Sequence, residues 1–176
     1  RAIQHLGYDV ILTCDDKDVQ KAEAIVLPGV GHFQDAMHSI EEKSIKDMLK
    51  NIHDKPIIGI CLGMQLLFQH SAEGDVSGLE LVPGNIVPIQ SSHPIPHLGW
   101  NELKSTHPLL QSDVYFVHSY QAEMSEYVVA YADYGTKIPG VIQYRNYIGI
   151  QFHPEKSGTY GLEILNQALK GGFIND

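Results

Sequence analysis

A chain of 176 residues, 43% hydrophobic and 19% charged, is one domain by length (1–176), with enough apolar side chain for a sizeable core. A formal net charge of −9 argues against a nucleic-acid or anionic-membrane binder, and no apolar run approaches the roughly 18 residues of a membrane span. Two cysteines, Cys14 and Cys61, do not make a disulfide framework and fit a reducing, cytoplasmic setting.

Arg1 to Gly7 reads as the tail of a helix closed by a glycine cap. Residues 8–12 and 24–27 read as strands, with Cys14 a structural residue closing the first before the acidic turn Asp15-Asp16. Residues 33–52 carry one or two amphipathic helices, 57–60 a third strand, and 62 to about 70 another helix. This alternation predicts an α/β three-layer sandwich with a mostly parallel central sheet. From there the pattern changes to short strands with tight turns, at 79–89, 115–118, 127–134, 141–144 and 147–152, with a hairpin turn at Arg145-Asn146. A helix over 160–169 and the stop Gly171-Gly172 close the chain. A doubly wound sheet normally begins with a strand, and none precedes the first helix, so an N-terminal truncation by about one strand and loop is expected.

Ten histidines raise the question of a metal. His93 and His97 are separated by Pro94 and Pro96, so their spacing is not helical, and no Cys/His cluster has zinc spacing. Neither a metal nor a cofactor is expected.

The most informative stretch is Ile57-Ile58-Gly59-Ile60-Cys61-Leu62-Gly63-Met64-Gln65, in which an apolar strand enters a Gly-x-Cys-x-Gly turn and a helix leaves it. That is the nucleophile-elbow pattern with cysteine in place of serine. The strained turn projects the sulfur over the first helical turn, whose unpaired N–H groups favour a thiolate. The backbone N–H of Leu62 is the expected first oxyanion donor, and Gln65 falls one turn beyond Cys61 on the same face.

The partner lies downstream, where Tyr147-Ile148-Gly149-Ile150-Gln151-Phe152 ends in His153-Pro154-Glu155. An extended His153 projects to the same side as Glu155, whose carboxylate would fix the ring tautomer and leave the other nitrogen to act as base toward a thiol. The order nucleophile, base, acid differs from that of the α/β-hydrolases and argues against an esterase or lipase.

The elbow with Gln65, together with His153-Pro154-Glu155, resembles the class I, triad-type glutamine amidotransferases. Three further segments narrow the resemblance to the glutaminase subunits of imidazole glycerol phosphate synthases. These are Leu27-Pro28-Gly29-Val30-Gly31-His32-Phe33, Pro96-His97-Leu98-Gly99-Trp100-Asn101 and His153-Pro154-Glu155-Lys156-Ser157-Gly158. It covers essentially the whole chain and implies a flavodoxin-like sheet whose first strand is missing here. By resemblance, Cys61, His153 and Glu155 are catalytic, and the second oxyanion donor comes from the loop of Gly29 and Val30. Backbone groups of His118, Ser119 and Tyr120 complete with Gln65 a pocket for L-glutamine, the His118 ring being structural rather than a second base. Trp100, read as lying in a Pro/Gly-rich loop, and Asn101, Tyr115 and Lys156 would face a cyclase subunit with a (β/α)8 barrel, which receives ammonia and makes imidazole glycerol phosphate. The competing readings are the glutaminase part of an anthranilate or aminodeoxychorismate synthase and a catalytically silent docking subunit.

Overall fold

The computed structural model describes residues 1–29, 31–42 and 44–174. In chain order its elements are α1 (Ala2–His5), α2 (Asp16–Lys21), β1 (Ile25–Leu27), α3 (Phe33–Glu42), α4 (Ile45–Lys50), β2 (Ile57–Ile60) and α5 (Leu62–Leu66). Then come β3 (His70–Ser71), β4 (Val76–Ser77), β5 (Asn85–Pro88), β6 (His97–Lys104), β7 (Asp113–His118), β8 (Tyr120–Ala122), β9 (Val128–Asp133), β10 (Lys137–Tyr144), β11 (Tyr147–Ile150) and α6 (Gly158–Leu169).

Seven strands form one sheet in the order β1-β2-β11-β10-β9-β6-β7, and a small sheet runs β4-β3-β5-β8. The expected α/β class holds, with the large sheet mixed rather than mostly parallel. Among the described residues of the seven-stranded sheet, β1·β2 and β2·β11 are parallel, while β11·β10, β10·β9, β9·β6 and β6·β7 are antiparallel. The reason is connection length: tight turns such as Arg145-Asn146 join antiparallel neighbours, whereas parallel pairs need a crossover. Alternation along β2 and β11 sorts side chains onto two faces. Ile57 and Tyr147 join the core under α3, α4 and α5, while Ile58, Ile148 and Ile150 join the core that contains Ile164 and Ala168 of α6.

Four local expectations fail. Residues 8–12 form no strand, and Ile11 and Leu12 stand 70% and 94% exposed, because alternation selects a face but a strand also needs a neighbour's backbone groups. Cys14 consequently lies exposed in an irregular segment rather than at a strand end. The helix after Cys61 stops at Leu66 instead of about residue 70. The carbonyls of Leu66, Leu67 and Phe68 are taken by N–H groups of Leu79, Leu81, Val82 and Glu80, so within 79–89 only β5 is a strand. Trp100 lies in β6, paired with Tyr115 of β7, rather than in a loop. Among the described residues no helix is long and apolar enough to cross a membrane.

Candidate active site

Cys61 sits between β2 and α5 with φ 56°, ψ −111°, a backbone conformation that costs a non-glycine residue of order 1–3 kcal/mol and recurs at functional sites. Its N–H donates to the Ile150 carbonyl at 2.7 Å, so the strained turn is tied to the end of β11, the strand that delivers His153. Space for the turn comes from missing side chains. A Cβ on Gly59 would come within 2.4 Å of the Gly63 oxygen, and one on Gly29 within 2.6 Å of the Gly63 nitrogen. The Gly29 loop is thus pressed against Leu62 and Gly63, beside the N–H groups of the first turn of α5. Val30, expected to supply an oxyanion donor, lies outside the described residues.

His153 is held from three sides. Its N–H donates to the Tyr115 carbonyl at 2.9 Å, and its own carbonyl accepts from Ser157 Oγ at 2.6 Å. The same Oγ accepts from the Tyr115 N–H at 2.9 Å, so Ser157 clamps the histidine to β7. Ser157 falls in a segment quoted above, yet it had no assigned role, since a clamp between residues 42 apart has no local signal. Residues 154–156 form a 3-10 turn rather than the extended segment expected, and this turn still sets Nδ1 of His153 2.7 Å from Oε1 of Glu155. A carboxylate accepts, so Nδ1 carries hydrogen and Nε2 is the nitrogen available to sulfur.

The Cys61 side chain, hydrogen-bonded to the ring, and then Glu155 raise the His153 pKa from 6.5 to about 9, against burial, which lowers it. For Glu155, burial pushes the carboxyl up, but the bond to His153 and the charges of His153 and Lys156 hold it below the usual range. Because the folded pKa of His153 is raised, its contribution to stability is complete below pH 6.5 and disappears as pH rises through about 9. Glu155→Gln removes part of that rise. The melting-temperature gap between the parent and Glu155→Gln is therefore expected to be widest near pH 6.5 and to close above pH 9; a constant gap across that range would refute the pairing.

A cavity of about 250 Å³ opens at this point, lined by Gly29, Gly31, Cys61, Leu62, Gln65, Glu73, Val117, His118, Ser119, Tyr120 and His153. It brings together every residue expected for catalysis and glutamine binding except Glu155, which lies behind His153, and Val30. Gln65 is buried, and its Nε2 donates to the Tyr120 carbonyl and to Gln151 Oε1, each at 3.1 Å. Both amide hydrogens are thereby used, and the carbonyl oxygen is what Gln65 has left to offer. Glu73 was missed: it reaches the cavity from the turn after β3, where nothing in its local pattern marks it. Its Oε1 accepts from the Phe33 N–H at 2.8 Å. Among the described residues, no three His, Cys, Asp or Glu side chains converge as a metal-ligand set.

Beside the cavity mouth runs an exposed apolar face. Cross-strand pairs Leu98–Val117 and Trp100–Tyr115 present it, Leu98 and Trp100 are each 59% exposed, and the Trp100 and Tyr115 rings meet edge-on at 5.9 Å. Lys156 is exposed in the turn after His153, while Asn101 turns the other way along β6 and bonds to His97 and to the Asp133 carbonyl.

Residues 1–170 match the family of class-I glutamine amidotransferases. The chain is 99% identical to the imidazole glycerol phosphate synthase subunit HisH of Staphylococcus epidermidis over 176 residues, all of this chain and 92% of that protein. It is 65% identical to the subunit of the same name from Staphylococcus saprophyticus, again over its full length and 89% of that protein. Among solved structures, a glutamine amidotransferase superposes with a TM-score of 0.77 at 17% identity, covering 97% of this chain and 90% of that one. A glutamine amidotransferase from Thermotoga maritima gives 0.55 at 17% identity over 92% and 67% of the two chains. These two likenesses establish the fold alone.

Proposed function

This chain belongs to the class-I glutamine amidotransferases, and from that premise we propose that it hydrolyses the side-chain amide of L-glutamine at Cys61 and passes the ammonia to a cyclase. Its setting is histidine biosynthesis, as the glutaminase subunit of an imidazole glycerol phosphate synthase. The observation that supports the reading is a cavity of amino-acid size lined by both Cys61, at a strained elbow, and His153, whose ring is bonded to Glu155.

The Cys61 sulfur attacks the amide carbon, and the oxygen that becomes negative is met by the Leu62 N–H and a donor from the Gly29 loop. His153 accepts the thiol proton as the sulfur attacks and gives it to the departing nitrogen as ammonia leaves. Water, deprotonated by the now neutral His153, attacks the thioester and releases glutamate. Glu155 keeps Nδ1 protonated throughout, so that Nε2 exchanges the proton. At the other end of the substrate, Glu73 and the Gln65 oxygen accept from the α-ammonium group, and backbone N–H groups of 118–120 take the carboxylate.

Ammonia in open water is protonated and no longer nucleophilic, so it must leave under cover. The face of Leu98, Trp100, Tyr115 and Val117 adjoins the cavity mouth, and a cyclase of (β/α)8 form seated there would enclose both. Lys156 supplies a cation at the rim of this face, suited to a carboxylate of the cyclase. Lys156→Glu is expected to weaken assembly about tenfold while the melting temperature stays unchanged, since a rim charge acts on association rather than on the fold. An unaltered dissociation constant, measured by titration calorimetry, would rule out that contact. The reading as a whole is tested by glutamate release with and without the cyclase and its ribonucleotide ligand. Strong stimulation supports a coupled glutaminase, and absence of activity in both conditions leaves only a docking role.

A further inference from the structure

Behind the cavity runs a row of polar groups that the chemistry above does not use. His97 is 1% exposed, its ring 4.4 Å from that of Phe116 and 4.1 Å from that of Tyr134. His97 Nδ1 lies 3.0 Å from Nε2 of His118, and His97 Nε2 lies 3.2 Å from Nδ2 of Asn101. His118 Nδ1 lies 2.8 Å from the Tyr120 carbonyl oxygen, the same oxygen that accepts from Gln65 at 3.1 Å.

Hydrogen-bond chemistry fixes every proton in this row. A carbonyl oxygen only accepts, so His118 carries its hydrogen on Nδ1. Burial lowers both rings to about pKa 4, so each is neutral at pH 7 and has one ring hydrogen. His118 Nε2 is then a lone pair, and His97 Nδ1 must donate to it. His97 Nε2 is a lone pair in turn and accepts from Asn101, whose other amide hydrogen goes to the Asp133 carbonyl at 3.1 Å. A single direction of donation, Asn101 to His97 to His118 to the Tyr120 carbonyl, satisfies all the contacts.

We propose that His97 is a positioning residue of the glutamine pocket: its donation to His118 holds the tautomer that anchors the Tyr120 carbonyl, and that carbonyl fixes the Gln65 side chain. Without the donor, His118 is free to change tautomer or rotate, and Gln65 loses one of the two acceptors that orient it. The row begins at Asn101, next to Trp100 on β6, so it connects the strand of the cyclase-facing surface with the substrate pocket. The inference rests on the glutaminase reading.

The test compares His97→Phe and His97→Asn in the complex with the cyclase. Phenylalanine keeps a ring between Phe116 and Tyr134 and removes the donor; asparagine sets an amide N–H near the place of Nδ1 and gives up the ring. His97→Phe is expected to raise KM for glutamine about tenfold with kcat within about twofold, and His97→Asn to recover most of that loss. Nitrogen-15 shifts should show His118 protonated on Nδ1 in the parent, and a mixture of tautomers in His97→Phe. A parent that hydrolyses glutamine while His97→Phe keeps the parental KM overturns the inference alone. So does a His118 hydrogen on Nε2 in the parent, or a His97→Asn KM as high as that of His97→Phe. A parent complex that hydrolyses no glutamine takes down the glutaminase reading and this inference with it.

Discussion

Replacing Cys61 by alanine is expected to lower glutamate release by about 10³-fold or more, with glutamine affinity nearly unchanged. The asymmetry follows from the site. Gln65, Glu73 and the backbone of 118–120 line the cavity without help from the sulfur, so the ground state still binds. The covalent path is lost altogether, and the residual rate is what oriented water and the oxyanion donors sustain. The elbow itself should survive, because its geometry is held by the bond from the Cys61 N–H to the Ile150 carbonyl and by glycine contacts, none of which involves the thiol. Glutamate release in the complex at saturating glutamine, with affinity read by calorimetry, checks both halves. Activity within tenfold of the parent would mean that Cys61 is not the nucleophile.

Gly63→Ala is expected to destabilise the fold by about 3 kcal/mol or more, lowering the melting temperature by about 10 °C. The sign is the informative part, because a helical Gly→Ala exchange ordinarily stabilises by roughly 0.5–1 kcal/mol. Here the added Cβ would stand 1.8 Å from the Leu27 carbonyl oxygen and 2.8 Å from its carbon. Those are backbone atoms of β1, so relief requires moving α5 away from the sheet rather than turning a side chain. The same shift would displace Leu62 and its N–H, so glutaminase activity should fall more than the stability loss alone explains. Thermal melting at a single pH decides it, and an unchanged or higher midpoint would show that α5 does not pack this closely.

Much of the candidate site was legible because it is written locally. The elbow needs glycines two residues either side of its nucleophile and a strand-to-helix switch, and all of these occur within Ile57 to Gln65. His153 and Glu155 are neighbours in sequence, so their approach to 2.7 Å needs only a short turn, and a turn of a different kind from the one expected served equally well. Glu73, Ser157 and His97 were not assigned roles, because each acts through at least one partner between 21 and 42 residues away. No window of sequence contains both members of such a pair.

The amino-acid sequence by itself determined the residue types that can do chemistry here, their order along the chain, and the two core-facing periodicities of β2 and β11. Tertiary structure decided how far each element runs and what it pairs with. The helix after Cys61 ends at Leu66 because the distant segment of residues 79–82 takes its carbonyls, and residues 8–12 remain outside the sheet although their apolar pattern suits a strand. Trp100 became a strand residue because β7 runs alongside it, setting Tyr115 opposite. The physical reason is common to all three. Side-chain pattern chooses which face is buried, but backbone hydrogen bonds are completed by whichever segment arrives alongside, and that is a property of the folded chain as a whole.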